Sequence, residues 1–184
     1  MSAGKITLYI AASVDGYIAD EDGGVAWLSE FEEAASEDDI EEFTAFFESV
    51  DCLVMGATTY EQVLTFGEWP YDDKPTYVFT HRDLSPATDA VEFVDQPVAD
   101  VSTHLKEQYG HIWLVGGAQL AEAFFHEQEI DALRLSLVPV LLGGGFHSSR
   151  ESTTNNRSDC SIPRVARAES LNISMWSVAE SGVG

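Results

Sequence analysis

The 184-residue sequence predicts an α/β fold with a mostly parallel central sheet and helices on both of its faces. Apolar runs of strand length alternate along the chain with segments whose apolar residues recur at helical spacing. Two of these runs end in glycine directly before a helical segment, at Gly56 and at Gly116-Gly117. This alternation is typical of parallel strands that are joined by crossover helices.

The predicted strands are bounded by their apolar pattern and by turn residues. In chain order they cover residues 5–12, 50–55, 76–80, 91–94, 112–115 and 132–142. The run at 91–94 is predicted to be an edge strand. Pro139 lies inside the last run, which indicates an edge position or a bulge there because proline cannot donate a ladder hydrogen bond.

The predicted helices follow from apolar spacing and from residues that favour helix ends. They cover residues 39–47, a segment that begins after Gly56, residues 101–109, and a segment from Gly117 to about residue 127. Ser36 or Asp38 is the expected N-cap of the first helix. Gly110 suits the position that follows the end of the third.

Composition indicates one globular domain, since 45% of the residues are hydrophobic and the length allows a sizeable core. No apolar run approaches the ~18 residues of a membrane span, and no signal-peptide pattern is present. We therefore expect a soluble cytoplasmic protein with no membrane partner. Cys52, Cys160 and the five histidines do not fall at ligand spacings, so no metal site is predicted.

The formal net charge of −23 argues against nucleic-acid binding, because that function needs a basic face. The acidic residues are spread along the chain, which fits an acidic binding tail poorly. Such a surface is typical of halophilic proteins, in which a high-salt cytoplasm screens the self-repulsion of the acidic residues.

The stretch from His111 to Ala121 has features that suit a phosphate. A strand-type run meets two glycines and then a helical segment, so backbone N–H groups can approach an anion at the positive end of a helix dipole. Taken alone, this stretch is equally consistent with the tight strand-to-helix turn of any α/β domain.

Four motifs occur in a fixed order between residues 5 and 145: Ser13-x-Asp15-Gly16, Val54-Met55-Gly56-x-x-Thr59-Tyr60-Glu61, Val115-Gly116-Gly117-x-x-Leu120 and Leu137-Val138-Pro139-Val140-Leu141-Leu142-Gly143-Gly144-Gly145. In this order they resemble the dihydrofolate reductase-like superfamily, and within it the riboflavin-biosynthesis reductase branch, the RibD C-terminal domain. The resemblance implies NADPH as the hydride donor and a homodimer. With the acidic composition, it also gives the expectation of a haloarchaeal source.

The resemblance further implies that the two glycine junctions face the phosphates of NADPH. Because NADPH carries a pyrophosphate and a 2′-phosphate, two anion-binding helix starts and a cation suit its binding. Arg82 matches the position that contacts the 2′-phosphate, which a planar guanidinium fits bidentately; a solvated loop arginine is the alternative. The implied cofactor-binding residues are Ala11, Gly16, Gly56, Thr58, Thr59, Thr80, Arg82, Val115, Gly116, Gly117, Ala118, Gln119 and Leu120.

Ala57 departs from the family pattern, which commonly has arginine directly after this glycine. One expected phosphate-binding cation is therefore missing. Either high salt reduces the demand for this cation or Arg82 carries the interaction alone, and the preference between NADPH and NADH is left open.

The substrate side is predicted from fewer residues. Asp39 falls close to the register of the carboxylate that folate reductases use on their first helix, which makes it the candidate catalytic residue; a helix-start acid is the alternative. Ser13, Asp15 and Trp27 are candidate substrate-binding residues. Asp15 equally suits the closing of the turn before Gly16, and a core position is the alternative for Trp27.

Residues 146–184 differ in composition from the rest, with four basic and four acidic residues and nine serines. The family continues after the triple glycine with Pro-Leu-Phe and a last antiparallel hairpin, but this chain continues with Phe146-His147-Ser148. Codons exist for residues 145–154 that, when read one nucleotide earlier, encode Ile-Pro-Leu-Phe-Glu-Gly-Val-Asp-Asp.

We therefore predict a dihydrofolate reductase-like domain at 1–145 and an atypical, frameshifted tail at 146–184. A divergent but selected tail is the alternative. A shifted frame removes the family's last strand pairing and leaves an open sheet edge. Residues 173–178 are the best strand candidate in the tail.

These observations predict an NADPH-dependent reductase that acts on a C=N bond or a masked carbonyl. The expected substrate is a small nitrogen heterocycle, either a ribosylated pyrimidine of riboflavin biosynthesis or a pterin. The alternative is a nucleotide-binding relative without catalytic turnover, as the altered tail and Ala57 suggest.

Overall fold

A parallel sheet forms the centre of the computed structural model, which describes residues 4–28, 36–147 and 170–175. In chain order the strands are β1 (Lys5–Ser13), β2 (Tyr17–Ala19), β3 (Cys52–Gly56), β4 (Thr76–Phe79), β5 (Val91–Val94), β6 (His111–Gly116), β7 (Ala132–Val138), β8 (Phe146–His147) and β9 (Ser170–Met175). Seven of them form the sheet in the order β5-β4-β3-β6-β1-β7-β9. All neighbouring pairs in it are parallel, whereas β2 and β8 form a separate antiparallel pair.

Four helices cover the two faces of the sheet among the described residues: α1 (Glu37–Ser49), α2 (Ala57–Thr65), α3 (Val98–Gln108) and α4 (Ala118–His126). On one face, Cys52 and Val54 of β3 pack in a cluster that includes residues of α3 and α4. On the other face, Leu53 and Met55 pack in a cluster that includes residues of α1 and α2. All four side chains are fully buried, which explains why β3 is a continuous apolar run.

The predicted fold class is confirmed, and so are several local details. Ser36 is the N-cap of α1, and its hydroxyl accepts the backbone N–H of Asp39 in a capping box. β5 lies at a sheet edge, as expected. β7 ends at Val138 rather than at residue 142, because the next residue is a proline and offers no N–H to the ladder.

The outer edge of β7 is where the structure differs most from expectation. β9 pairs with β7 in parallel register from Ala132↔Ser170 to Leu137↔Met175, so the predicted open edge is wrong. The expected strand at 173–178 overlaps β9 at residues 173–175, and residues 176–178 lie outside the described residues. The boundary at residue 145 and the shifted frame stay predictions, which DNA sequencing across the Gly145 codon would decide.

The triple-glycine segment is held to the turn after β1 by one carboxylate. Asp15 accepts the backbone N–H groups of Gly143 at 2.8 Å and Leu142 at 3.2 Å. The Ser13 hydroxyl donates to the same carboxylate and accepts the Tyr17 N–H at 2.9 Å. The bonds from Ser13, Gly143 and Leu142 hold the pKa of Asp15 below its usual value, because each favours the charged form.

No helix among residues 4–28 and 36–147 is both long and apolar enough to cross a bilayer.

Replacing Asp15 with alanine should release residues 142 and 143. The Leu142 and Gly143 amides lose their acceptor, so their hydrogen-exchange protection at neutral pH should fall by roughly tenfold. In the native protein this protection should be complete above the ordinary aspartate pKa of about 3.9 and be lost as the pH falls through the lowered pKa. The D22A variant removes a nearby carboxylate and should leave both amides protected; unchanged protection in D15A contradicts this role.

Candidate functional site

Two strand-to-helix junctions lie side by side at the carboxyl edge of the sheet. β3 leads into α2 at Gly56, and β6 leads into α4 at Gly116-Gly117. β3 and β6 are neighbours, with Met55 paired to Gly116. The register shifts just before this pair, since Val54 pairs with Leu114 and Val115 is left as an additional residue in β6.

The close approach of the two junctions depends on the absence of side chains at Gly116 and Gly117. Gly116 has φ +125°, a conformation that side chains of L residues rarely adopt. A Cβ at Gly117 would lie 3.1 Å from the Thr59 hydroxyl oxygen, and one at Gly56 would lie 3.9 Å from the Gly117 nitrogen. The peptide bond between Gly116 and Gly117 is cis. The space between the two helix starts is therefore one that side chains would fill.

Both helix starts retain the backbone donors that an anion needs. Gly56 and Gly117 are the N-caps of α2 and α4, and neither helix has an acidic residue in its first turn or, among the described residues, a side-chain capping bond. Within the described part of the chain, their first N–H groups and dipoles therefore stay available. Thr58 and Thr59 lie in the first turn of α2, and Ala118, Gln119 and Leu120 lie in that of α4. These donors suit the pyrophosphate of a dinucleotide.

Arg82 lies just after β4, the strand on the other side of β3. Its backbone N–H donates to the Thr80 hydroxyl at 2.9 Å, which orients the turn. Its guanidinium forms a two-bond ion pair with Glu61 of α2; Nη1 donates to Oε2 at 2.9 Å, and Nη2 donates to Oε1. This pair raises the pKa of Arg82. In the sequence Glu61 stands out only as part of a motif, because its pairing depends on the adjacency of β3 and β4.

The predicted substrate-side residues are placed in three different environments. Ser13 is fully buried and Asp15 binds the backbone at 142 and 143, so both hold the turn at Gly16. Asp39 accepts the backbone N–H of Ser36 at 3.2 Å within the capping box. The buried indole N–H of Trp27 has no partner among the described residues. Their roles in substrate binding and catalysis stay predictions.

Ala11 lies within β1, two residues before the end of the strand at Ser13, and is opposite Ser136 of β7. Gly16 has φ +86° in the turn between β1 and β2. The structure therefore brings together the predicted residues of the two glycine junctions. It places the residues of the β1 turn in a second group beside the triple glycine.

Comparison with known proteins gives the family and a consistent fold. The RibD C-terminal domain model matches residues 4–173. The Bacillus subtilis (strain 168) proteins YwjB and YyaP are 38% and 28% identical to this chain over 155 and 153 residues. These alignments cover 83% and 77% of this chain, and 87% and 78% of the two relatives.

Solved structures are similar to this chain in fold. A Shewanella sp. PV-4 protein named for riboflavin biosynthesis is 31% identical, with a TM-score of 0.67, over 82% of this chain and 85% of its own. The Thermotoga maritima diaminohydroxyphosphoribosylaminopyrimidine deaminase/5-amino-6-(5-phosphoribosylamino)uracil reductase is 17% identical, with a TM-score of 0.60, over 88% of this chain and 51% of its own.

Enterococcus faecalis dihydrofolate reductase, solved with NADP(H), is 17% identical, with a TM-score of 0.57, over 80% of this chain and 79% of its own. At this identity the likeness concerns the fold alone. With the family model matching residues 4–173, the chain belongs to the RibD C-terminal domain family and has the dihydrofolate reductase-like fold.

Proposed function

We propose that this protein is a reductase that uses NADPH or NADH to reduce a C=N bond or a masked carbonyl of a small nitrogen heterocycle. The observation that carries the proposal is the pair of helix starts at Gly56 and Gly117, which have free first-turn donors and lie at neighbouring strand ends. Membership of the RibD C-terminal domain family supports a reductase rather than another user of a phosphate site.

In this proposal the chain's own residues bind and orient the dinucleotide, and the bound nicotinamide supplies the hydride. The first N–H groups of α2 and α4 would bind the pyrophosphate, and the Thr58 and Thr59 hydroxyls would add donors. Gly116 and Gly117 keep the space between the helices open. Asp39 is the proposed source of the proton that accompanies the hydride.

The proposed substrate class is inferred from structurally similar proteins. A ribosylated pyrimidine is favoured by the uracil reductase activity in the name of the T. maritima structure, and a pterin by the dihydrofolate reductase fold. We further propose a cytoplasmic homodimer adapted to high salt, on the strength of the family and the charge of −23. Light scattering in molar KCl should then give twice the mass of one chain.

Cofactor titration tests the proposal. NADPH and NADH are each added to the full chain in molar KCl, and tryptophan emission is followed, since a bound nicotinamide accepts that energy. Saturable quenching, with cofactor oxidation in the presence of one of a panel of pyrimidines and pterins, supports the reductase. Binding without oxidation favours the inactive nucleotide-binding relative, and no binding of either cofactor overturns both.

The G117A variant should weaken dinucleotide binding. Its methyl group would lie 3.1 Å from the Thr59 hydroxyl oxygen, within the proposed pyrophosphate space. We expect the Kd of NADPH and of NADH to rise equally, by roughly tenfold, or about 1.4 kcal/mol. The matched control is G110A at the opposite end of β6, where a Cβ would meet a side-chain oxygen of Asp51 at 3.2 Å. Equal affinities in the two variants would count against the site.

The D39N variant separates catalysis from capping. If Asp39 delivers the proton, kcat should fall by roughly a hundredfold, the lower end of a general acid's contribution. D38N removes the same charge one residue earlier in the turn and should leave kcat unchanged. A D39N variant that loses only the ~1 kcal/mol of a helix cap and keeps its kcat would assign Asp39 to capping alone.

A further inference from the structure

Arg82 has a distinctive position among the basic residues in the described part of the chain. It follows the carboxyl end of β4, at the sheet edge where the two helix starts lie. The other lysines and arginines described lie at the amino edge or within β7: Lys5, Lys74, Lys106 and Arg134. Residue 57, at the start of α2, is alanine, so among the described lysines and arginines Arg82 is the one that a phosphate at this edge could contact.

Glu61 already forms an ion pair with Arg82. The two carboxylate oxygens each accept one guanidinium N–H, which is the geometry that a phosphate would also use. Glu61 lies one helical turn beyond Ala57 on α2, so the carboxylate sits on the helix that the dinucleotide would contact. The Arg82 and Glu61 side chains are 55% and 42% exposed, so the pair can open without unpacking the core.

We propose that Glu61 is the residue that sets the choice between NADPH and NADH, because it competes with the 2′-phosphate for Arg82. This inference rests on the proposed function. To bind the 2′-phosphate, Arg82 must leave Glu61, and a dianion must then lie beside an unpaired carboxylate. NADH lacks that phosphate and leaves the pair intact. The native protein should therefore discriminate poorly between the two cofactors.

The E61Q variant tests this competition by direct binding. Calorimetric Kd values for NADPH and NADH are measured in the native protein and in E61Q at one fixed KCl concentration. Releasing a partly exposed guanidinium from one carboxylate should tighten NADPH binding by roughly fivefold and leave NADH binding within about twofold. Adenosine 2′,5′-bisphosphate and AMP, which differ only in the 2′-phosphate, should repeat the pattern without the nicotinamide when measured in the same way.

Two further variants separate the loss of this ion pair from a general change in charge. E42Q removes the same charge from the Arg134–Glu42 ion pair on the sheet face, whose N–O distance is 2.6 Å, and should leave the NADPH-to-NADH ratio unchanged. In the E61Q/R82Q double variant the gain for NADPH should disappear, since it depends on Arg82.

The outcomes are distinguishable. If both cofactors bind and E61Q does not change their ratio, the role of Glu61 is overturned while the proposed function stands. An equal gain in E42Q would assign the effect to overall charge and overturn it as well. If neither cofactor binds any variant, the proposed function and this inference fail together.

Discussion

The pairing of β3 with β6 is the constraint on which the rest of the site depends. Both strands are buried on two faces, so their register is fixed by packing on both sides of the sheet. The shift at Val115 brings Gly116 opposite Met55, and each strand then turns directly into a helix. Because parallel neighbours end at the same sheet edge, the two helix starts meet there without any loop to position them.

In this arrangement the residues that stabilise the fold are separate from the groups that could bind a ligand. The two hydrophobic clusters lie on the sheet faces, whereas the polar groups available to a ligand lie at the strand ends. The start of α1 is used differently. It has a capping box, in which the Ser36 hydroxyl accepts the Asp39 N–H, and three acidic residues that repel an anion. The same backbone feature thus gives a stable helix start at Ser36 and a candidate anion site at Gly56 and Gly117.

Much of the fold could be predicted from the sequence because its signals are local. The continuous apolar run of β3, the glycine junctions and the Ser36 cap each depend on a few adjacent residues. The ion pair of Arg82 with Glu61 could not be predicted in this way, since it requires β3 and β4 to be neighbours and both side chains to reach each other. The bonds from Asp15 to residues 142 and 143 join positions more than a hundred residues apart. The pairing of β9 with β7 could not be predicted, because a residue pattern that indicates a strand does not specify its partner.

The central claim is that the starts of α2 and α4 form one anion site, and inorganic pyrophosphate tests it without a nicotinamide or a substrate. Amide chemical shifts of the ¹⁵N-labelled full chain are followed by NMR during a pyrophosphate titration in molar KCl. We expect saturable shifts, with a single Kd, in the amides of Thr58, Thr59, Ala118 and Gln119, and little change at residues 37–39 or 98–100. Shifts confined to one of the two helices, or spread equally over all helix starts, would contradict the claim.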